Sequence, residues 1–333
     1  MNVVTGATGH IGTFLVRGLL DRGEPVRALV PPFEDGAVLE GLDVERVEGD
    51  ILEPDSLARA FEGAEVVYHL AGMISISRKD SDRVYQVNVV GTRNVAEACL
   101  RTGVRRLVYT SSIHAMAEPP HGVRFDESSS FDPKRAPGLY GSAKAEAALE
   151  VLAAVERGLD AVVVCPTGVI GPDDLKPSQM GQMFIDVAQG RLRVYLEGAY
   201  DFVDVRDVAE GHILAAEKGR KGECYILSGE CISVSEIMRT LADVTGVKAP
   251  TVRMPMWLAK AVAPLTPIYY HFTRTAPIFT SDSLYILTSN CDISSEKARR
   301  ELGYTNRPIR ESICDAVAWL KAHGRLIPVS AGA

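Results

Sequence analysis

Thr5-Gly6-Ala7-Thr8-Gly9-His10-Ile11-Gly12 decides how this chain folds. The stretch follows a short β-branched run, Asn2-Val-Val-Thr5, and opens a segment of helical periodicity, so strand, glycine-rich turn and helix come in that order. Glycines at 6, 9 and 12 let the backbone turn tightly and approach a pyrophosphate, while the first amides of the helix point at its charge. A tight turn without a ligand is the plainer alternative. The order of elements is the one that dinucleotide binding requires, and it favours the ligand.

Outward from that loop, residues 1–165 alternate short apolar runs with helical patterns, the signature of βαβ units and a parallel sheet. The strand candidates are Asn2–Thr5, Val26–Val30, Val44–Val47, Val66–His69, Arg106–Tyr109 and Ala161–Cys165. Six parallel strands predict a doubly wound α/β domain at 1–165, to which about 199–218 returns. Beyond 166 the order breaks up, as in a smaller, discontinuous C-terminal substrate domain over 166–198 and 219–325, with a tail at 326–333. Helical patterns fall at 178–190, 207–218, 233–245, 294–301 and 309–322, with Asp207 and Ser233 as N-caps. Residues 253–290 crowd Met254, Met256, Trp257, Leu258, Val262, Leu265, Ile268, Tyr269, Tyr270, Phe272, Ile278 and Phe279 among prolines. That crowding reads as ordinary core, as a wall or lid over an apolar substrate, or as a membrane-surface contact, the last disfavoured by the lack of a basic face.

With 333 residues, 46% of them apolar, the chain has enough material for a sizeable core. A net charge of -7 with interspersed signs gives no footprint for nucleic acid. Cys99, Cys165, Cys224, Cys231, Cys291 and Cys314 lack metal-ligand spacing and are expected to be reduced thiols, with neither disulfides nor structural zinc, in a cytoplasmic protein. No secretory signal and no membrane-spanning run is read.

The chemistry centres on Tyr140-Gly-Ser-Ala-Lys144. Four residues apart on a helix, the two side chains share a face, and an ammonium beside a phenol favours the phenolate. Tyr140 then becomes a general acid/base. Tyr109-Thr-Ser-Ser112 ends the fifth strand at the carboxyl edge, where a hydroxyl can steady a developing oxyanion. Residues 113–138 form a long loop over the site. His69-Leu70-Ala71-Gly72 ends the fourth strand with small residues where a cofactor would pass, His69 itself being structural. Asn88 lies on a helix whose many apolar positions suit a partner subunit.

These motifs together resemble an extended short-chain dehydrogenase/reductase of the NAD(P)-dependent epimerase/dehydratase superfamily, over nearly the whole chain. The resemblance implies a Rossmann fold with Ser112, Tyr140 and Lys144 as catalytic set. It places the cofactor on Gly6, Thr8, Gly9, His10, Ile11, Gly12, Asp50, Ile51, Leu70, Ala71, Gly72, Asn88, Tyr140, Lys144, Pro166, Gly168 and Val169. Asp50 and Ile51 would frame the adenine, and Lys144 would lower the Tyr140 pKa while holding the nicotinamide ribose. Met73, Ser112, His114, Tyr140 and Tyr200 are the candidate substrate contacts, and no metal is implied.

Members acting on nucleotide-linked sugars carry an arginine where this chain has Tyr200-Asp201, and an asparagine where it has Gly168. Cys165 also replaces a common arginine. Lacking that diphosphate clamp, the chain looks more like dihydroflavonol reductases and 3β-hydroxysteroid dehydrogenases. The implied activity is hydride transfer between a nicotinamide and a ketone or secondary alcohol of a fairly apolar small molecule. A sugar-nucleotide epimerase/dehydratase is the rival, and a non-catalytic dinucleotide sensor a further one. Val30, Pro31 and Pro32 neither bind ribose hydroxyls nor pair with a phosphate, so NAD is preferred to NADP only for want of a cation, with His10 and Arg27 still open. Helices near 84–102 and 140–157 are expected to pair in a homodimer.

Overall fold

The computed structural model describes residues 1–75, 78–262 and 281–326. Of the apolar 253–290 segment, Leu265, Ile268, Tyr269, Tyr270, Phe272, Ile278 and Phe279 lie outside the described residues, as does the tail beyond 326. The strands are β1 Asn2–Thr5, β2 Val26–Val30, β3 Glu45–Glu48, β4 Val66–His69, β5 Arg106–Thr110, β6 Ala161–Pro166, β7 Gly168–Ile170, β8 Val194–Leu196, β9 Ala199–Asp204, β10 Cys224–Leu227, β11 Glu230–Ser233 and β12 Val252–Met254. The main sheet runs β3-β2-β1-β4-β5-β6-β10. Every pairing in it is parallel. Strand order reverses at β1 and β4, so a crevice opens beyond their carboxyl ends, and the glycine loop sits there.

Both faces of this sheet are covered, which is why its strands read as continuous apolar runs instead of alternating ones. Val4, Tyr68, Val108 and Val162 face helices α1 (His10–Leu20) and, later in the chain, Val205–Lys218. Val3, Val67, Leu107 and Tyr109 face α2 (Pro54–Ala60), α4 (Gly91–Thr102) and α5 (Gly138–Glu156), α3 being the short Ser81–Tyr85. Helix α5 buries Ala143, Ala145, Ala147, Ala148 and Ala154, small side chains that let it lie close to the sheet. The remaining strands form a smaller sheet, β11-β9-β7, and a parallel pair, β12-β8.

Three expectations are corrected. The sequence reads six parallel strands, but the sheet has a seventh, β10, from a segment assigned to the second lobe; its register against β6 pairs Cys224 with Val163. Helix Val205–Lys218 is capped by Asp204, whose carboxylate accepts from the Arg206 amide at 2.8 Å. Asp207 instead accepts from the Arg307 amide at 2.7 Å and its Nε at 2.9 Å, anchoring the C-terminal region. Ser233 does cap Val234–Thr245, in a full capping box with Glu236.

The third correction concerns cysteine. Cys231 and Cys291 form a disulfide with Cα atoms 5.9 Å apart, while Cys99, Cys165, Cys224 and Cys314 are free. Nothing in the linear spacing announces the bridge, because it depends on the edge strand β11 lying beside the chain that follows helix Ser281–Thr288. Among the described residues no group of His, Cys, Asp and Glu could hold a metal ion, and no helix is long and apolar enough to cross a membrane. The bridge spans a separation of 60 residues, and in the chain-entropy account opening such a loop costs about 4 kcal/mol. Reductant should therefore lower the urea midpoint of the wild type but not that of Cys231→Ser; equal shifts in both would mean that the bridge contributes nothing.

Candidate active site

The glycine loop is shaped by close approach. Gly6 has φ +69°, and a Cβ there would lie 2.6 Å from the amide nitrogen of Ala71, so the loop presses on the chain leaving β4. A Cβ on Gly12 would lie 2.1 Å from the Gly6 carbonyl oxygen. Gly9 stands at the N-cap of α1 without a side-chain cap, so the amides of the first turn keep their bonding capacity toward the crevice. A cradle without side chains, ending on a helix terminus, fits the pyrophosphate of a dinucleotide. Thr5 ties it to the sheet, its hydroxyl meeting His69 Nδ1 at 2.7 Å and accepting from the Ala71 amide at 3.2 Å. His69 is wholly buried, meets Thr92 through Nε2 at 3.0 Å, and is held neutral by burial, its pKa pushed down to about 3. It is structural.

Several residues implied by the resemblance also have partners within the protein. Asp50 accepts from the Leu52 amide at 2.9 Å in a turn. Ile51 is core: a Cβ on Gly91 would lie 2.5 Å from its Cδ1. His10 Nε2 meets the Pro172 carbonyl at 2.7 Å. Arg27 pairs with Glu45 at 3.0 Å and donates to the carbonyls of Ala60 and Glu62, so it is committed at the other end of β2. Sequence reasoning passed over Glu34. A turn closed by the Glu34 amide on the Pro31 carbonyl brings this carboxylate back to the glycine loop, where Thr8 donates to it, and Lys176 lies 3.7 Å from its other oxygen. The sign of it is an acid just past β2, four positions after Val30 and two after Pro32.

Beyond β4, Asn88 fixes the chain at the crevice floor. Its Oδ1 accepts from the Met73 amide at 3.1 Å and its Nδ2 donates to the Met73 carbonyl at 2.8 Å. It sits in a π-helical turn, Gln86–Val90, a widening that recurs at functional sites. A Cβ on Gly72 would lie 2.9 Å from Asn88 Oδ1 and 3.4 Å from Lys144 Nζ, so this backbone passes directly over the lysine.

Ser112, Tyr140 and Lys144 do come together. β5 ends at Thr110, and the turn Ile113–Ala115 packs on α5 so tightly that a Cβ on Gly141 would lie 2.7 Å from the His114 carbonyl oxygen. The Ser112 hydroxyl accepts from the His114 amide at 3.2 Å and acts on the Tyr140 phenol, lowering its pKa. Lys144 Nζ donates to the Thr110 carbonyl at 2.7 Å and lies 4.9 Å from the centre of the Tyr109 ring. The expected electrostatics are corrected here: burial pushes Tyr140 up to about 12, with only the neighbouring Ser112 side chain pulling it back, and Lys144 is not among the groups that lower it. Lys144 itself is pushed by burial down to about 8. Sharing a helix face brings the two residues to one site, but the Thr110 carbonyl draws the ammonium toward the end of β5.

On the far side, Tyr200 of β9 meets His114 Nε2 at 3.0 Å, the rings stacking with centroids 5.8 Å apart. A glycine stands at 168 where Phe202 and Tyr200 occupy the space of a side chain: a Cβ would lie 2.6 Å and 3.1 Å from them. Val169 pairs with Val203 in the small sheet.

The model of the NAD dependent epimerase/dehydratase family matches residues 2–228. The chain belongs to that family. It is 40% identical to sterol demethylase protein B of Methylococcus capsulatus, over 97% of this chain and 99% of that one. It is 31% identical to the 4-hydroxy-2-methyl-3-oxo-4-farnesyl-3,4-dihydroquinoline-1-oxide ketoreductase of Stigmatella aurantiaca, over 94% of each. The crystal structure of gox2253 superposes with a TM-score of 0.87 at 37% identity, covering 98% and 99% of the two chains. Its parallel central sheet is the Rossmann-like fold shared with that structure.

The burial of Lys144 has a consequence for stability. Above about 8 the folded protein has released a proton that the unfolded chain holds to 10.5, so this group makes stability rise with pH across that window, by up to about 1.4 kcal/mol per pH unit. Thermal unfolding from pH 8 to 10 should show the difference between wild type and Lys144→Met growing in favour of the wild type; a constant difference would contradict the assignment.

Proposed function

We propose that this family member transfers a hydride reversibly between the nicotinamide of NAD and a ketone or secondary alcohol on a fairly apolar small molecule. The observation that carries the proposal is the meeting of Ser112, Tyr140 and Lys144 at the carboxyl edge of the sheet, beside the glycine cradle. Gly6, Thr8, Gly9 and Gly12 would hold the pyrophosphate, Asn88 would keep the backbone of residues 71–73 clear for the ring, and Lys144 would hold the ribose beside it. When bound, the nicotinamide supplies or accepts the hydride. Tyr140 exchanges the hydroxyl proton at its phenolic oxygen, and Ser112 donates to the oxygen on which charge develops.

Two kinds of support bear on the substrate. The relatives are named for a sterol and for a farnesylated ketone, and the place where sugar-nucleotide members carry an arginine holds Tyr200 and Asp201 instead. Asp201 is buried and pushed up to about 6, accepting from Thr167 at 2.6 Å and the Gly229 amide at 2.9 Å. A diphosphate beside it would meet an acid and no clamp. Glu34 supports NAD over NADP, since it would accept from the adenosine ribose hydroxyls and repel a 2′-phosphate.

We also propose a homodimer through the helices near 84–102 and 140–157, where Tyr85 at the end of α3 and Leu149 of α5 are exposed and Arg93–Glu150 joins α4 to α5 at 2.6 Å. Sedimentation at micromolar concentration should give twice the chain mass, and a monomer would refute it. Tyr140→Phe should lower kcat at least about a thousandfold with the NAD Kd unchanged. NAD should bind at least tenfold more tightly than NADP, about 1.4 kcal/mol. Retained turnover would refute the role of Tyr140, and tighter NADP binding that of Glu34.

A further inference from the structure

The bridge between Cys231 and Cys291 lies between a surface groove and the loop that Ser112 leads into. On one side, Cys231 is exposed and lines a groove of about 420 Å³ between β11 and the helices Val234–Thr245 and Ile309–Ala322. On the other, Cys291 is half-buried in the segment after helix Ser281–Thr288. That segment holds the loop. The Asn290 amide donates to Glu118 at 2.6 Å and its Nδ2 to the Val123 carbonyl at 2.7 Å. Past the cysteine, the Phe125 amide donates to the Asp292 carbonyl at 2.8 Å, and the Ser294 amide to the Phe125 carbonyl at 2.9 Å. Contacts on both sides of Cys291 thus fix residues 118–125, and the bridge ties them to β11, where Cys231 pairs with Asp201 of β9.

We propose that Cys231 is an exchange site for a small thiol that carries a carboxylate, and that opening its bridge loosens the loop over the catalytic residues. The exchange itself is independent of the dehydrogenase reading above; only its effect on turnover rests on that reading.

The charges of the groove select the ligand. Its acids are engaged: Glu236 accepts from the Ser233 amide and hydroxyl at 3.0 and 2.6 Å, Glu230 from the Ile309 amide at 3.3 Å, and Asp243 pairs with Arg310 at 3.2 Å. Arg239 has no ion pair among the described residues, and its Nε meets the Ser235 carbonyl of its own helix at 3.4 Å. A guanidinium has five N–H donors in a planar fork, so most of this one is left for a carboxylate on the incoming thiol. Exposure makes Cys231 the sulfur that such a thiol reaches. The incoming thiolate bonds to Cys231 Sγ, the bond to Cys291 breaks, and the electron pair leaves on Cys291, which takes up the proton the thiol gave up. One disulfide replaces another, with no outside oxidant. A second thiol of the same class then attacks the mixed disulfide, leaving as the small-molecule disulfide while both cysteines end reduced.

The test uses the full chain. Cys291→Ser leaves Cys231 without its partner, and treatment with glutathione disulfide should place one glutathione on Cys231 by peptide mass; a label on another cysteine, or none, would overturn the site. In chains with the bridge intact, Arg239→Gln should slow opening by mercaptopropionate about fivefold relative to opening by cysteamine, which carries an ammonium instead; an unchanged ratio would overturn the carboxylate. On reduction of the wild type, hydrogen exchange at the Phe125 and Ser294 amides should quicken at least about tenfold, with the amides of β1 unchanged as the check on folding. Unchanged exchange at Phe125 would overturn the hold on the loop. With NAD and a fused-ring secondary alcohol, kcat/KM should fall on reduction and return on reoxidation while the NAD Kd stays constant; equal values in the two states would overturn the link to the catalytic residues. Absence of turnover in the oxidised protein would overturn the dehydrogenase reading alone, since the first three readouts do not use it.

Discussion

The site depends on one close approach, that of the turn after β5 to the helix that carries the tyrosine. The His114 carbonyl lies where only a glycine at 141 leaves room, and this contact sets the turn that carries Ser112 against the helix that carries Tyr140. A side chain at 141 would force the turn and the helix apart, and Ser112 and Tyr140 would separate with them. The rest of the fold supplies the frame: a parallel sheet buried on both faces leaves its carboxyl edge as the place where loops from several strands converge. The alanines of α5 let the helix lie low enough on that sheet for Lys144 to reach the end of β5.

Burial acts on Tyr140 and Lys144 in a single direction. It raises the phenol of Tyr140 and lowers the ammonium of Lys144, so both are driven toward their uncharged forms. A phenol kept neutral is an acid, the state that would deliver a proton to the alkoxide formed when a ketone is reduced. His114 is kept neutral in the same way. The dinucleotide side has the opposite character, with helix amides and glycine backbone turned to an anion.

Much of this was legible in the sequence because it is local. Strand, glycine loop and helix follow one another within twelve residues, and Tyr140 and Lys144 lie one helical turn apart. The seven-stranded sheet was legible in all but β10, a four-residue strand with no βαβ repeat to flag it, whose place is set by pairing with β6. What was missed is non-local. Glu34 reaches the loop only because a turn doubles the chain back. Cys231 and Cys291 meet only once the second lobe has folded. Ile51 has the right sequence position for an adenine contact, but Gly91 leaves a hole in α4 that its side chain fills. Helix spacing told which face Lys144 shares with Tyr140, but not that the Thr110 carbonyl would claim its proton. The family assignment itself was legible, since its motifs recur in order along the chain.

The central claim is that this site passes hydride to a nicotinamide that leaves as product. The direct measurement is the number of equivalents of reduced nicotinamide set free per protein chain when NAD and a fused-ring secondary alcohol are supplied together. The account predicts many equivalents in solution, matched one for one by ketone. At most one equivalent, retained on the protein while the alcohol is isomerised or dehydrated, would contradict it.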